Sequence, residues 1–484
     1  MSDYSPRRRT ALVLAGTGAH GAYHAGVLRA LHEAGVKIDV MAGRGVGGAT
    51  AALAAIDGAA GLWGAASPWL READRPAYQW RPALRIAGWL TVLLAGVVAF
   101  PVLLLAAALL VYPLGFLLEM LGSSAGAALV GGYAGWLTEA FAGPNLPTYV
   151  PRAAMLVGGL IVLTVGIGTV LARLGAPARR EVRGGWWWAL AAAPLDATLV
   201  RRVFIDTLWS LIRGAAASEK PEARAVGRRY SEVLAESMGQ PGVCELMVVV
   251  SDVDARQDVV AAFLREPHRA PFFAPRPGAE RQAEAVDLAG PAGELLPELL
   301  AAALTPAVGV EPHLVRFAPE SYWRGEARRL CDRGGAIVRL LEELASAGVE
   351  QVILVGGPAS RPRPHALPTA GLGLTDRLGD ALALDEASAM RDAALAVRGR
   401  FAGVYVIVPD HSAIGPFDLD GAYDRASDRQ ETVAELLSRG YEDAHTRFIA
   451  PVLGESGEYL RVPDAAELGA TYGDGVFDTA DPRG

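Results

Sequence analysis

From Ile86 to Leu118 the chain carries no charged residue, and the same holds from Ala153 to Ala172. A helix needs roughly 20 apolar residues to cross a bilayer, so each run is long enough to span one. Neither run has a polar face, which argues against the alternative of two buried core helices. Trp80, Trp89 and the triplet Trp186, Trp187 and Trp188 lie near the ends, where indole rings favour the lipid–water interface. Arg71, Arg75, Arg81 and Arg85 precede the first run, and Arg173, Arg179, Arg180 and Arg183 follow the second. Between Ile86 and Pro151 there is no Lys or Arg, and Arg152 stands at the edge of the second run. The positive-inside rule then places both flanks in the cytoplasm and the 119–151 segment outside. Pro101, Pro113 and the mildly apolar segment 124–142 leave four spans as the alternative to two. Either number is even.

The rest of the pattern is that of an α/β protein. "ALVLAG" (11–16) reads as a buried strand, 22–34 as a helix ended by Gly35, "IDVMAG" (38–43) as a second strand and 46–57 as a second helix. Strand–helix–strand–helix order implies parallel strands. Beyond the apolar runs, helices are expected at 201–217, 227–238, 291–304, 376–398 and 428–447. Strands are expected at 244–253, near 313–317 and 327–331, and at 403–408, and 336–357 reads as helix, turn and buried strand. Pro-rich loops cover 265–285 and 358–370, and the tail from 454 has few apolar runs.

Composition narrows the classes. The 484 residues suffice for one large or two ordinary domains. A net charge of −8 and a pI of about 5.6 give no reason to expect nucleic acid. Cys244 and Cys331 fit no metal-ligand spacing and no disulfide framework, so a reducing compartment is the default. No cofactor is expected. Arg7, Arg8 and Arg9 precede an apolar run too short for a signal peptide, and a solvated arm is expected there rather than a lipid contact.

Two glycine-rich turns follow the first two strands. "GTGAHG" (Gly16 to Gly21) matches G-x-G-x-x-G. One reading is a dinucleotide fold with pyrophosphate at the helix N-terminus. That fold wants an acid at the end of the second strand, whereas Asp39 begins it. Another is an oxyanion hole of backbone N–H groups, and a third is a tight turn alone. The second turn, "VMAGRGVGGATAAL", is a strand, a small-residue turn and a helix, the architecture of a nucleophile elbow. Together with "GAYHAGVLRALHEAG" between the turns, this pattern resembles the patatin-like phospholipase family. The resemblance continues weakly in "MVVVSDVDA" (247–255), "AAALTPAVGVEP" (301–312) and "LCDRGGAIVRLLEELASAGVEQVILVGG" (330–357). It implies a Ser–Asp dyad for lipid acyl hydrolysis, an oxyanion loop at Gly16, Thr17, Gly18 and Gly21, and an elbow at Gly43, Arg44 and Gly47.

The sequence departs from that family at both dyad positions. Gly-x-Ser-x-Gly reads Gly43-Arg44-Gly45-Val46-Gly47, and no serine occurs between Ser5 and Ser67. Thr50 lies within the following helix. Glycine has no atom to attack a carbonyl. The family's Asp-Gly-Gly reads Asp332-Arg333-Gly334-Gly335, which either inserts Arg333 or puts Arg in the acid's place with Asp332 one residue off. A structural role for Asp332, paired with Arg333 or a backbone N–H, is the competing expectation. Asp474-Gly475 reads as a turn. His20 and His24 are four apart and His32 eight further on, without an evident third metal ligand, and they are expected to be solvated or to line a cleft.

The expectation is therefore a patatin-like three-layer α/β fold with a mainly parallel sheet, interrupted by a helical transmembrane hairpin. Residues 1–70 would begin the domain, 71–200 form the membrane insertion with spans near 86–112 and 153–173, 201–450 complete the domain, and 451–484 form a tail. The oxyanion loop and the aspartate region must meet, so the insertion crosses an even number of times. The chain is expected to be an inner-membrane protein with a cytoplasmic soluble part, impaired in hydrolysis, binding lipid or an anionic headgroup, with room for a protein partner. An active hydrolase using another nucleophile or an activated water, and a nucleotide binder using the first loop, are the alternatives.

Overall fold

A computed structural model of the chain describes residues 4–57, 60–64, 67–71, 78–174, 193–214, 219–275, 284–356, 374–397, 399–409 and 433–454. The triplet Trp186–Trp188, the loop 358–370, most of the tail and Asp474-Gly475 lie outside the described residues. The chain forms two compact units, one of residues 1–78 and 197–484, the other of residues 79–196.

The larger unit is built on strands β1 (Thr10–Gly16) and β2 (Val40–Gly45), which leave helices α1 (His20–Glu33) and α2 (Val46–Asp57) directly behind their turns. The two strands run parallel, with Ala15 opposite Arg44 and Gly16 opposite Gly45. The small unit, which supplies β3 (Gln79–Trp80), α3 (Pro82–Ala106), α4 (Ala108–Met120), α5 (Ala125–Ala140), α6 (Leu146–Leu174) and β4 (Leu195–Asp196), interrupts the chain next. The larger unit resumes with α7 (Thr198–Arg213), α8 (Ala223–Ser237), β5 (Glu245–Asp252), β6 (Gln257–Phe263), β7 (Ala285–Asp287), α9 (Leu296–Ala303), β8 (His313–Arg316), β9 (Ala327–Cys331), α10 (Ala336–Ser346), β10 (Gln351–Gly356), α11 (Leu374–Ala396), β11 (Gly403–Ile407) and α12 (Val433–Ala444).

The main sheet has the order β11-β10-β1-β2-β5-β6-β7, with β9 joined to β5 and β8 to β9. Its central pairs β11–β10–β1–β2–β5 are all parallel, while β5–β6, β5–β9 and β8–β9 are antiparallel. Alternate residues of a strand face opposite sides. Ala11, Val13 and Ala15 of β1 pack with Ile337, Leu340 and Leu344 of α10 and with Ala389 and Ala393 of α11. On the Leu14 side, Gly47 of α2 comes so close that a Cβ there would lie 2.1 Å from the Leu14 carbonyl oxygen. Helices α1, α8 and α9 pack on α2, and α12 packs on α1. The sheet is thus the middle of three layers, and the β1 and β2 turns lie side by side at its carboxyl edge.

The antiparallel strand β6 escaped the hydrophobic pattern, because "QDVVAAF" is short and its burial is complete only from Val259 on. The loop expected at 265–285 contains a short helix, Arg269–Phe273. Arg9 is no solvated arm: its guanidinium pairs with Glu245, because a buried carboxylate needs a counter-charge.

In the small unit, β3 and β4 pair antiparallel, Gln79 with Asp196 and Trp80 with Leu195. The insertion therefore enters and leaves at one place. Two helical stretches, Pro82–Met120 and Leu146–Leu171, are long and apolar enough to cross a membrane by length and composition, and 6% of each apolar window is buried. Helix α3 packs on α6 and α4 on α5. The segment 124–142 forms α5, whose Tyr133 hydroxyl donates to the Leu104 carbonyl at 2.5 Å beside the break between α3 and α4.

Candidate functional site

Gly45 ends β2 with φ of +60°, the left-handed conformation in which a non-glycine residue costs on the order of 1–3 kcal/mol. The turn is tight. A Cβ on Gly43 would lie 2.4 Å from the Gly47 carbonyl carbon. A Cβ on Gly45 would lie 2.2 Å from the Gly16 carbonyl oxygen and 2.9 Å from Asp332 Oδ2. The elbow geometry is present, Asp332 faces residue 45, and the backbone of the first glycine loop fills the volume a serine side chain would need.

Asp332 follows β9, where its N–H donates to the Thr305 carbonyl at 2.7 Å. Its neighbour Arg333 turns outward and donates to Asp258 Oδ2 at 2.7 Å. The partner of Asp332 is Arg44, not Arg333. Arg44 Nε donates to Oδ1 at 3.1 Å and Nη2 to Oδ2 at 3.0 Å. Arg44 Nη2 also donates to Glu386 Oε1 at 2.6 Å and to the Thr17 hydroxyl oxygen at 3.3 Å. The Thr17 hydroxyl in turn faces both carboxylates, reaching Asp332 Oδ2 at 3.4 Å and making a short bond to Glu386 Oε1. Arg44, Asp332 and Glu386 are 2%, 3% and 4% exposed, so one buried cation lies between two buried carboxylates. Burial pushes the Asp332 carboxyl up to about 6 despite the opposing Arg44 charge, with Glu386 adding to the rise.

His20 and His24 are buried in this region rather than solvated, whereas His32 is exposed as expected. His20 Nδ1 accepts the Thr17 N–H at 3.3 Å and lies 3.6 Å from Glu386 Oε2. Its pKa is lowered, chiefly by burial. His24 makes a 3.2 Å hydrogen bond through Nε2 to the Ala15 carbonyl, and burial takes its pKa down to about 3. His32 instead stacks near Trp63, with ring centroids 5.7 Å apart. The turn after Asp332 is satisfied internally as well: Gly334 N–H donates to Asp385 Oδ2 at 3.1 Å. A cavity of about 10 Å³ remains beside Gly16, Arg44, Gly334, Glu386 and Met390, space for about one water. Of the residues expected to form the oxyanion loop, Thr17 bonds to the cluster directly and Gly16 lines the small cavity beside it. Gly18 takes φ of +60° in the turn, and Gly21, in the first turn of α1, packs so close to Trp69 that an added Cβ would lie 2.1 Å from it.

Asp385 and Glu386 were not singled out in the sequence. An acidic pair inside a helix ordinarily reads as a solvated face. The available signal was Arg44: an arginine in a turn of glycines, between two buried strands, needs buried acids to meet it.

Residues 12–97 match the family model of patatin-like phospholipases. Among solved structures, VipD from Legionella pneumophila is similar with a TM-score of 0.28 and 11% identity, over 92% of this chain and 67% of that one. No curated protein matches.

Proposed function

We propose that this patatin-like chain is an integral membrane protein that does not hydrolyse lipid by the Ser–Asp route, and that it binds lipid at the cytoplasmic membrane face. The observation that carries the reading is the Arg44–Asp332 pair beside Gly45. Ser–Asp hydrolysis needs a hydroxyl at the elbow and a carboxylate free to accept its proton. Position 45 has no hydroxyl, and both Asp332 oxygens are engaged by Arg44. The retained elbow keeps the sheet edge in order while Arg44 engages both carboxylates of the site. Support for the membrane comes from the two long apolar helices, from the single entry and exit at β3–β4, and from arginines clustered outside the runs.

Incubating the purified full chain with a fluorophosphonate probe and a short-chain ester tests this. No labelling and no turnover are expected, together with co-flotation of the chain with phospholipid vesicles. Labelling that survives boiling overturns the reading.

One observation favours a second reading. The Thr17 hydroxyl faces two carboxylates, the surroundings of an activated nucleophile. On that reading Thr17 Oγ1 attacks an ester carbonyl as its proton passes to Glu386, Glu386 returns that proton to the departing alkoxide, and water then hydrolyses the acyl ester left on Thr17, releasing the acid and restoring the hydroxyl. Labelling abolished by Thr17→Ala would select it.

A further inference from the structure

In the membrane unit, α3 and α6 do not close on one another along their whole length. Between Val92, Gly96 and Phe100 on one side and Tyr149, Val150 and Ala153 on the other they leave an apolar groove of about 490 Å³, open to the flank. A Cβ on Gly96 would meet no atom of the described residues within 4 Å, so none of them fills the groove there. Arg152 sits on the same turns of α6 as the groove residues Tyr149, Val150 and Ala153. It is the only Lys or Arg between Ile86 and Ala172, its side chain is exposed, and it has no ion pair among the described residues.

We infer that this groove and Arg152 form a site for one glycerophospholipid, its phosphate on Arg152 and one acyl chain along the groove. Arg152 stands at the edge of the apolar run Ala153–Ala172, the level of the lipid headgroups, where a cation is favoured by an anionic partner. No carboxylate of the described residues pairs with Arg152, and a guanidinium matches a phosphate with two parallel hydrogen bonds. Tyr149, 63% exposed beside it, offers a hydroxyl at the level where tyrosine rings sit in membranes. Between helices in lipid there is no hydrophobic gain from burial, so what holds a chain in place is close packing and the polar anchor at its end. The groove supplies the first and Arg152 the second. The site lies in the small unit and is separate from the Arg44 cluster. It rests on the hairpin lying in a bilayer.

The test uses the full chain, purified in mild detergent, stripped of lipid and titrated in native mass spectrometry. The probes are palmitoyl-oleoyl phosphatidylglycerol and the diacylglycerol with the same chains, which lacks the phosphate. One phosphatidylglycerol per chain is expected, with diacylglycerol at least ten-fold weaker. Arg152→Gln should weaken phosphatidylglycerol at least ten-fold, and Arg152→Lys less. Gly96→Phe, which fills the groove and leaves Arg152 in place, should weaken it as well. Equal binding of the two lipids, or equal binding by wild type and Arg152→Gln, overturns the site. Alkaline carbonate extraction of membranes separates the two levels of failure. A chain released by carbonate overturns both the membrane reading and the site, whereas a chain retained without phosphate selectivity overturns the site alone.

Discussion

The Arg44 guanidinium grips both carboxylate oxygens of Asp332, Nε to Oδ1 at 3.1 Å and Nη2 to Oδ2 at 3.0 Å, and reaches Glu386 Oε1 with the same Nη2 at 2.6 Å. One cation therefore holds three segments together: the elbow after β2, the turn after β9 and the middle of α11. Such a cluster ties distant parts of the chain to one register, but its energetic worth depends on remaining complete.

Removing the cation is expected to be severe. Arg44→Leu leaves two carboxylates facing each other in a buried site, and breaking a buried pair from one side costs about 3–5 kcal/mol. Arg44→Lys should recover part of this, because an ammonium keeps the charge but not the two-pronged geometry. Thermal unfolding of the full chain in detergent micelles measures both. An Arg44→Leu variant as stable as wild type would show that the cluster does not hold the segments together.

Restoring the missing hydroxyl is expected not to restore hydrolysis. In Gly45→Ser the new Cβ meets the Gly16 carbonyl at 2.2 Å, and the residue keeps a positive φ. The strain alone amounts to about 1–3 kcal/mol, and moving the β1 backbone adds to it. The variant should melt below wild type and remain unlabelled by fluorophosphonate. Gly45→Ala should melt similarly, since the clash belongs to Cβ and not to the hydroxyl. Labelling of Gly45→Ser would mean that the first loop moves aside at little cost.

Stability should depend on pH through Asp332. Burial raises its carboxyl to about 6 in the folded chain, against about 3.9 in an unfolded one. The folded state thus binds this proton more tightly, and stability falls as pH rises between those values. The contribution is fully present below about pH 3.9 and is lost as pH passes through about 6, a change on the order of 3 kcal/mol. Asp332→Asn removes the titration and leaves Arg44 paired with Glu386. Its stability relative to wild type should therefore improve from pH 4 to pH 7 and level off above. A difference that stays constant with pH would count against the raised carboxyl.

Local patterning carried much of this structure in the sequence. "ALVLAG", "IDVMAG" and the glycine turns behind them announce parallel strands feeding helices, because buried strands and close turns allow few residue types. The two uncharged runs announce long apolar helices for the same reason. What local pattern does not encode is the meeting of distant side chains. Asp332 at the elbow depends on how β9 enters the sheet beside β5, and Glu386 depends on the packing of α11 over Gly334. Arg333, which the sequence offered as a rival for the acid's place, turns outward because Asp258 of β6 lies beside it, and β6 was itself missed. The collision between Gly16 and Gly45 follows from their being direct partners across β1 and β2, a register that neither turn specifies alone.

On the proposed reading that the small unit lies in a bilayer, the hydroxyl of Tyr133 carries a separate expectation. Where α3 gives way to α4 at Ala107, Tyr133 of α5 donates to the Leu104 carbonyl at 2.5 Å, and its ring meets that of Tyr112 edge-on at 6.1 Å. A backbone carbonyl at a helix break in lipid has no water to satisfy it. Tyr133→Phe keeps the ring contact and removes only the donor. Hydrogen bonds between membrane helices average about 0.6 kcal/mol and reach about 1.7, so a loss in that range is expected. Tyr133→Leu, which also removes the ring contact, should lose more. Reversible unfolding in mixed micelles resolves such differences. If the phenylalanine variant matches wild type while the leucine variant falls, the ring alone holds α5 against the break, and the hydroxyl contributes nothing to it.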